Sequence, residues 1–198
     1  MGIRAIRLGI FGGTFDPIHL GHVEVADAVR NALGLDRMLV VVANHPWQKQ
    51  DRPVTPAEDR YAMAAAAVAD RPGLEASRIE LDRGGPSYTI DTVHQLRSLE
   101  PDAEFFIVIG ADVVGGIDTW HRYEELRDLV TLVIVDRPGA GHLDPPSGWQ
   151  FVRVAVRPVD VSSTDLRSVL EAGGTVAGFV PDAVIRCMAD RGLYATGR

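Results

Sequence analysis

The chain has 198 residues, 46% of them hydrophobic and 24% charged, which suits one folded unit with a real core and an ordinary polar surface. Its net charge of −7 excludes the basic surface needed to wrap long nucleic acid, yet leaves room for a small phosphate ligand held by local cations and backbone N–H groups. A lone cysteine, Cys187, excludes an internal disulfide and a cysteine-based zinc site and suits a reducing cytoplasm, and no apolar run is long enough to span a bilayer.

Residues 1–7 run directly into a strand-like segment and lack the apolar stretch of a signal peptide. Arg7–Phe11 then reads as a buried strand ending at a glycine pair. Leu20–Leu33 follows as a helix stopped by Gly34, and Met38–Ala43 as a second buried, β-branched strand. Pro56–Asp70 is an alanine-rich helix opened by proline. Arg78–Leu81 reads as a weak strand, Thr89–Leu99 as a helix, and Phe105–Ile109 as a strand closed by Gly110. Glu124–Leu129 is a short helix, Thr131–Val135 a strand, Phe151–Val156 an outer strand, and Thr164–Glu171 and Asp182–Asp190 are two final helices. The Gly- and Pro-rich stretch 139–148 reads as a surface loop. Strand and helix alternate throughout, so the expected fold is α/β: a doubly wound, Rossmann-like parallel sheet with helices on both faces and a small C-terminal helical part at 162–198, in a single domain spanning 1–198. Ligands in such folds sit at the C-terminal ends of the strands.

The first strand leads into Gly12-Gly13-Thr14-Phe15-Asp16-Pro17-Ile18-His19-Leu20-Gly21-His22. Glycines let a backbone approach a ligand closely, and a helix starting near His19 offers its N-terminal N–H groups to an anion. His19 and His22 are three apart and share a helical face, where imidazoles can donate to phosphate oxygens. On spacing alone the pair also fits ordinary helix-surface residues or two metal ligands, and its place after the glycine pair is what singles it out. The glycines match neither the dinucleotide-binding pattern nor a P-loop. The second constellation is Val161-Ser162-Ser163-Thr164-Asp165-Leu166-Arg167, which reads both as a capped helix start and as three hydroxyls and a guanidinium arranged to cradle a polyphosphate. Of 20 basic residues only Lys49 is a lysine, and it falls just after the second strand. His94, His121 and His142 read as surface residues.

These two segments resemble the signatures of the HxGH nucleotidyltransferase superfamily, and nicotinate-nucleotide adenylyltransferases more closely. The resemblance extends through Arg83 to Thr92, Gly110-Ala111-Asp112 with Trp120, Arg137-Pro138-Gly139, and the ending from Val180 to Tyr194. It implies transfer of AMP from ATP to nicotinate mononucleotide, giving deamido-NAD and pyrophosphate. It further implies that His19, His22, Arg167 and Lys49 are catalytic, and that Gly13, Thr14, Phe15, Gly110, Asp112 and Ser163 complete the ATP site with both histidines and Arg167. Lys49, Thr89 and Trp120 would bind the nicotinate nucleotide. Many members of the family carry Pro-His-Lys where this chain has Pro46-Trp47-Gln48-Lys49, an extra aromatic at the pocket.

The implied cofactor is Mg²⁺, held mainly through the ATP phosphates, with no dedicated protein metal site. The implied partners are small molecules, ATP and nicotinate mononucleotide, with no membrane and no long nucleic acid; a homo-oligomer stays open. The competing readings are a pantetheine-phosphate adenylyltransferase, which usually has threonine in place of His19, a nicotinamide-mononucleotide enzyme, and a non-catalytic nucleotide-sensing module.

Overall fold

A computed structural model describes residues 4–45, 54–136, 143–157 and 159–194. Six strands pair in parallel in the order β3-β2-β1-β4-β5-β6: β1 (Arg7–Gly13), β2 (Arg37–Val42), β3 (Leu74–Ser77), β4 (Glu104–Gly110), β5 (Thr131–Asp136) and β6 (Phe151–Ala155). This is the doubly wound order anticipated from the alternating elements. Side chains of the central strands alternate between two cores. Met38, Val40 and Val42 of β2, Phe106 and Val108 of β4, and Val133 and Val135 of β5 face one way. Leu39 and Val41, Phe105, Ile107 and Ile109, and Leu132 and Ile134 face the other.

Helices cover both faces. On the first lie α1 (Leu20–Leu33), α2 (Ala57–Val68), α6 (Ser163–Glu171) and α7 (Asp182–Asp190), which bury Val23, Ala26, Met63, Leu166, Val184 and Met188 against the sheet. On the second lie α4 (Thr89–Leu99), α5 (Tyr123–Leu129) and a 3₁₀ helix at Val114–Thr119, which bury Ile90, Val93, Val114, Ile117 and Leu126. Helix α1 ends where Gly34 adopts φ +58°, a left-handed conformation that costs glycine nothing, and its N–H returns to the carbonyls of Arg30 and Asn31.

Two local expectations change. Arg78–Leu81 is not a strand: the strand is the preceding Leu74–Ser77, and residues 79–83 form the short helix α3 (Ile79–Arg83). The apolar alternation of Ile79 and Leu81 imitates a strand, but Arg78 pairs with Asp82 one turn on, at 2.7 Å, and Glu80 is buried. The glycine pair after the first strand also belongs to it, because β2 continues alongside as far as Gly13↔Val42. Pairing of β1 with β4 stops earlier, at Ile10↔Ile107. Beyond Ile10 the two central strands part, and a crevice opens between Gly12–Gly13 and Gly110. Lys49, Arg137-Pro138-Gly139 and His142 lie outside the described residues.

Leu132 sits fully buried on a strand paired on both sides, while Leu99 is 69% exposed. Leu132→Ala is expected to lower unfolding free energy by about 2–5 kcal/mol. Leu99→Ala should stay within about 0.5 kcal/mol of the parent, with both read from urea denaturation.

Candidate active site

The crevice between β1 and β4 deepens into a cleft of about 420 Å³, walled by the Gly12–Asp16 turn, the start of α4, the Asp112–Val113 and Trp120–His121 segments, and the start of α6. Of the residues singled out from sequence, Gly13, Thr14, Phe15, His22, Thr89, Gly110, Asp112, Trp120, Ser163 and Arg167 all line it. His19 lies behind His22, 5% exposed, with the two rings stacked at 3.6 Å between centroids.

The turn is held by aromatic packing. Phe15 has φ +52° and is 2% exposed. Its ring occupies the space beside Gly13, where a Cβ would lie 2.6 Å from Phe15 Cζ, so any larger residue would expel it. Phe15 meets His22 edge-on at 5.0 Å. The backbone N–H of His19, the residue preceding α1, donates to His22 Nδ1 at 3.3 Å. In the neutral ring this leaves the proton on Nε2, making that nitrogen a donor.

Helix α6 supplies the second group of donors. Ser162 is its N-cap: Ser162 Oγ accepts from the Asp165 N–H at 3.1 Å and donates to the Asp165 carboxylate at 2.6 Å. Ser163 Oγ donates to Pro17 O at 2.9 Å, and Arg167 Nη1 to Asp16 O at 2.6 Å, fastening α6 to the turn 151 residues earlier in the chain. Thr164 accepts from Arg167 Nη2 at 3.2 Å. The three hydroxyls of the expected cradle therefore divide their work: one caps the helix, one braces the arginine, and Ser163 lines the cleft.

Across the cleft, Thr89 opens α4 and Trp120 follows the 3₁₀ helix. The Tyr88 and His121 rings pack at 4.4 Å between centroids. His121 is exposed, as expected of a surface residue, and also lines the cleft, and His94 Nε2 lies 2.7 Å from the Glu125 carboxylate. The Asp112 carboxylate folds back over Gly110, where a Cβ would collide with it.

Sequence reasoning did not single out Asp16, Glu80, Ser87, Tyr88 and Thr92, which also line the cleft. Thr92 Oγ1 donates to buried Glu80 at 2.6 Å, and Arg83 donates to Thr92 at 3.1 Å. Asp16 is 2% exposed and accepts from the Tyr194 hydroxyl at 2.6 Å, across 178 residues of chain. No periodicity links such distant residues, although Asp16 stood inside the first motif and Ser87, Tyr88 and Thr92 inside the Arg83–Thr92 stretch. Among the described residues no group of three or more His, Cys, Asp or Glu side chains could hold a metal ion.

Comparison with known proteins comes to the same point. Residues 10–169 match the family model described as cytidylyltransferase-like. A Corynebacterium kroppenstedtii protein named "probable nicotinate-nucleotide adenylyltransferase" is 44% identical over 191 residues, covering 95% of this chain and 90% of that one. A Thermus thermophilus protein of the same name is 46% identical over 189 residues, covering 96% and 100%. The fold matches that of the Plasmodium falciparum nicotinic acid mononucleotide adenylyltransferase solved with NaAD, with a TM-score of 0.78 at 19% identity, covering 95% of this chain and 97% of that chain.

Burial and the hydrogen bond to Asp16 push the Tyr194 phenol far above its ordinary value of 10.0. The folded chain therefore keeps this proton in a range where the unfolded chain has lost it, so the contribution is whole below pH ~10 and fades as pH rises further. In urea unfolding across alkaline pH, stability should decline above pH ~10, and Tyr194→Phe should show a slope shallower by one proton.

Proposed function

The chain belongs to the cytidylyltransferase-like family and, within it, to the nicotinate-nucleotide adenylyltransferases; from that premise we infer that it transfers AMP from ATP to nicotinate mononucleotide, giving deamido-NAD and pyrophosphate. The observation that carries the reading is the convergence of His22, Ser163 and Arg167 on one side of a cleft whose other side holds Thr89 and Trp120. The first set are hydrogen-bond donors suited to a polyphosphate, and the second, at a helix N-terminus and an aromatic, suit a flat acidic ring.

In this reading the acceptor's phosphate attacks the α-phosphorus of ATP, its oxygen forms the new P–O bond, and the bond to pyrophosphate breaks. A phosphate monoester has a second pKa of about 6, so the nucleophile is largely ionised at neutral pH and needs no general base. The chain's task is to position and to neutralise charge. His22 donates from Nε2 to the α-phosphate as its charge grows, and His19 stacks behind it and orients it. Arg167 and Ser163 hold the β- and γ-phosphates. Gly13, Thr14 and Phe15 shape the nucleotide site, and Gly110 and Asp112 receive the adenosine.

Thr89 and Trp120 hold the nicotinate end, and Lys49, from sequence alone, is assigned to the phosphates between. A Mg²⁺ ion would be held by the ATP phosphate oxygens and water beside the donors His22, Ser163 and Arg167, and would supply charge neutralisation to the leaving pyrophosphate. No helix among the described residues is long and apolar enough to cross a membrane. We place the reaction in the cytoplasm, and we take the chain as one domain because α6 and α7 share the sheet's core.

A pyrophosphate-release assay with ATP and, in turn, nicotinate mononucleotide, nicotinamide mononucleotide and phosphopantetheine tests the reading. Release should be fastest with the first, and none with any acceptor would favour a nucleotide sensor. His22→Ala should fold normally and turn over about a hundredfold more slowly, as when one oxyanion donor is lost. Near-normal turnover would remove His22 from the chemistry.

A further inference from the structure

Arg60, in the first turns of α2, is 1% exposed and heads the largest fully buried side chains. Its guanidinium spends its donors on four backbone carbonyls. Nε reaches Thr55 O at 2.7 Å, Nη1 reaches Thr14 O at 2.9 Å and Ala43 O at 2.7 Å, and Nη2 reaches Asn44 O at 3.1 Å. These carbonyls belong to three separate segments: the turn after β1, the chain leaving β2, and the approach to α2. Burial works against the charge, while the nearby Asp16 carboxylate favours it.

Packing does not account for this residue. Replacing a buried charged group by an apolar side chain of similar size is often neutral or stabilising, and α2 fills its other buried positions with Met63, Ala64, Ala67 and Val68. What the guanidinium has and an apolar chain lacks is a planar fork of donors in set directions.

The bonds continue toward both sides of the cleft. Thr14 leads to Phe15, whose ring meets His22, and to Asp16, whose carbonyl receives Arg167. Asn44 donates from its backbone N–H to Ser87 Oγ at 2.8 Å and from its amide to Gly85 O at 3.0 Å, and the Ser87 N–H returns to His45 O at 3.3 Å. Ser87 immediately precedes Tyr88 and Thr89. One side chain thus joins the segment that presents phosphate donors to the segment that opens α4.

We propose that Arg60 is a positioning residue that sets the spacing between the phosphate-binding turn and the acceptor-binding start of α4. The inference rests on the adenylyltransferase reading above. In that reading the nicotinate end of the acceptor and the α-phosphorus are held by opposite sides of the cleft, so the distance from the acceptor's phosphate to the α-phosphorus depends on this brace. A displacement of about 1 Å at such a distance is enough to cost about a hundredfold in rate.

The test compares the unaltered chain with Arg60→Lys, which keeps the charge but has three rotatable donors and no fork. Steady-state kinetics are measured below the variant's unfolding midpoint, with amide hydrogen exchange on both proteins. The expected result is a folded variant whose kcat falls about 10- to 100-fold, with KM for both substrates within about threefold. Exchange should quicken together at residues 13–16, 43–45 and 85–89 and stay unchanged in the β5–β6 pair. A kcat within about twofold of the unaltered chain would overturn the proposal. So would faster exchange confined to residues 54–60, or a variant that does not fold, since either leaves Arg60 a merely structural residue. Absence of turnover by the unaltered chain with every acceptor would instead overturn the assigned reaction, and the exchange pattern would still decide whether Arg60 couples the two segments.

Discussion

The early end of the β1–β4 pairing is the constraint on which the site depends. Both strands are central and buried, yet they share hydrogen bonds only as far as Ile10↔Ile107, while β1 stays bound to β2 through Gly13↔Val42. The chain leaves β1 toward one face and β4 toward the other, so among the described residues no helix or strand fills the space between their ends. Of the glycines on the two walls, Gly12 leaves open space in which a ligand can come close, while Gly13 and Gly110 make room for the Phe15 ring and the Asp112 carboxylate. The cleft is a consequence of strand order rather than of any single motif.

An acidic chain can hold polyanions because charge is local. With a formal charge of −7, its long-range field does not attract phosphate. The cleft answers this with three helix beginnings: His22 lies in the first turn of α1, Thr89 opens α4 and Ser163 opens α6. Each brings the positive end of a helix dipole, and Arg167 adds a full charge within the same wall. Fixed dipoles of this kind need no reorganisation when charge develops, which is the condition for stabilising a transition state.

The turn that carries these donors is braced from elsewhere in the chain. Asp16 lends its carbonyl to Arg167 and its carboxylate to Tyr194, and Thr14 lends its carbonyl to Arg60. Buried polar groups require partners, and here the partners come from α6, from the C-terminal end and from α2. The C-terminal helices are therefore tied to the Gly12–Asp16 side of the cleft by hydrogen bonds as well as by apolar packing.

Much of this was legible in the residues alone. Helices at Leu20–Leu33, Thr89–Leu99 and Asp182–Asp190 fall where periodicity, Gly34 and the flanking turns place them, because those signals are local. The exception at Arg78–Leu81 is instructive: four residues are too few for a period to decide between strand and helix, and the buried Glu80–Thr92 hydrogen bond sits on the helical answer. By itself the sequence determined the doubly wound sheet and the place of the HxGH turn at the end of its first strand. Only the tertiary structure decided that His121 joins the cleft, and that Arg60 and Tyr194 brace the turn. Those outcomes depend on groups up to 178 residues apart meeting in space, and a buried hydrogen bond between distant residues leaves no periodic trace in the chain that encodes it.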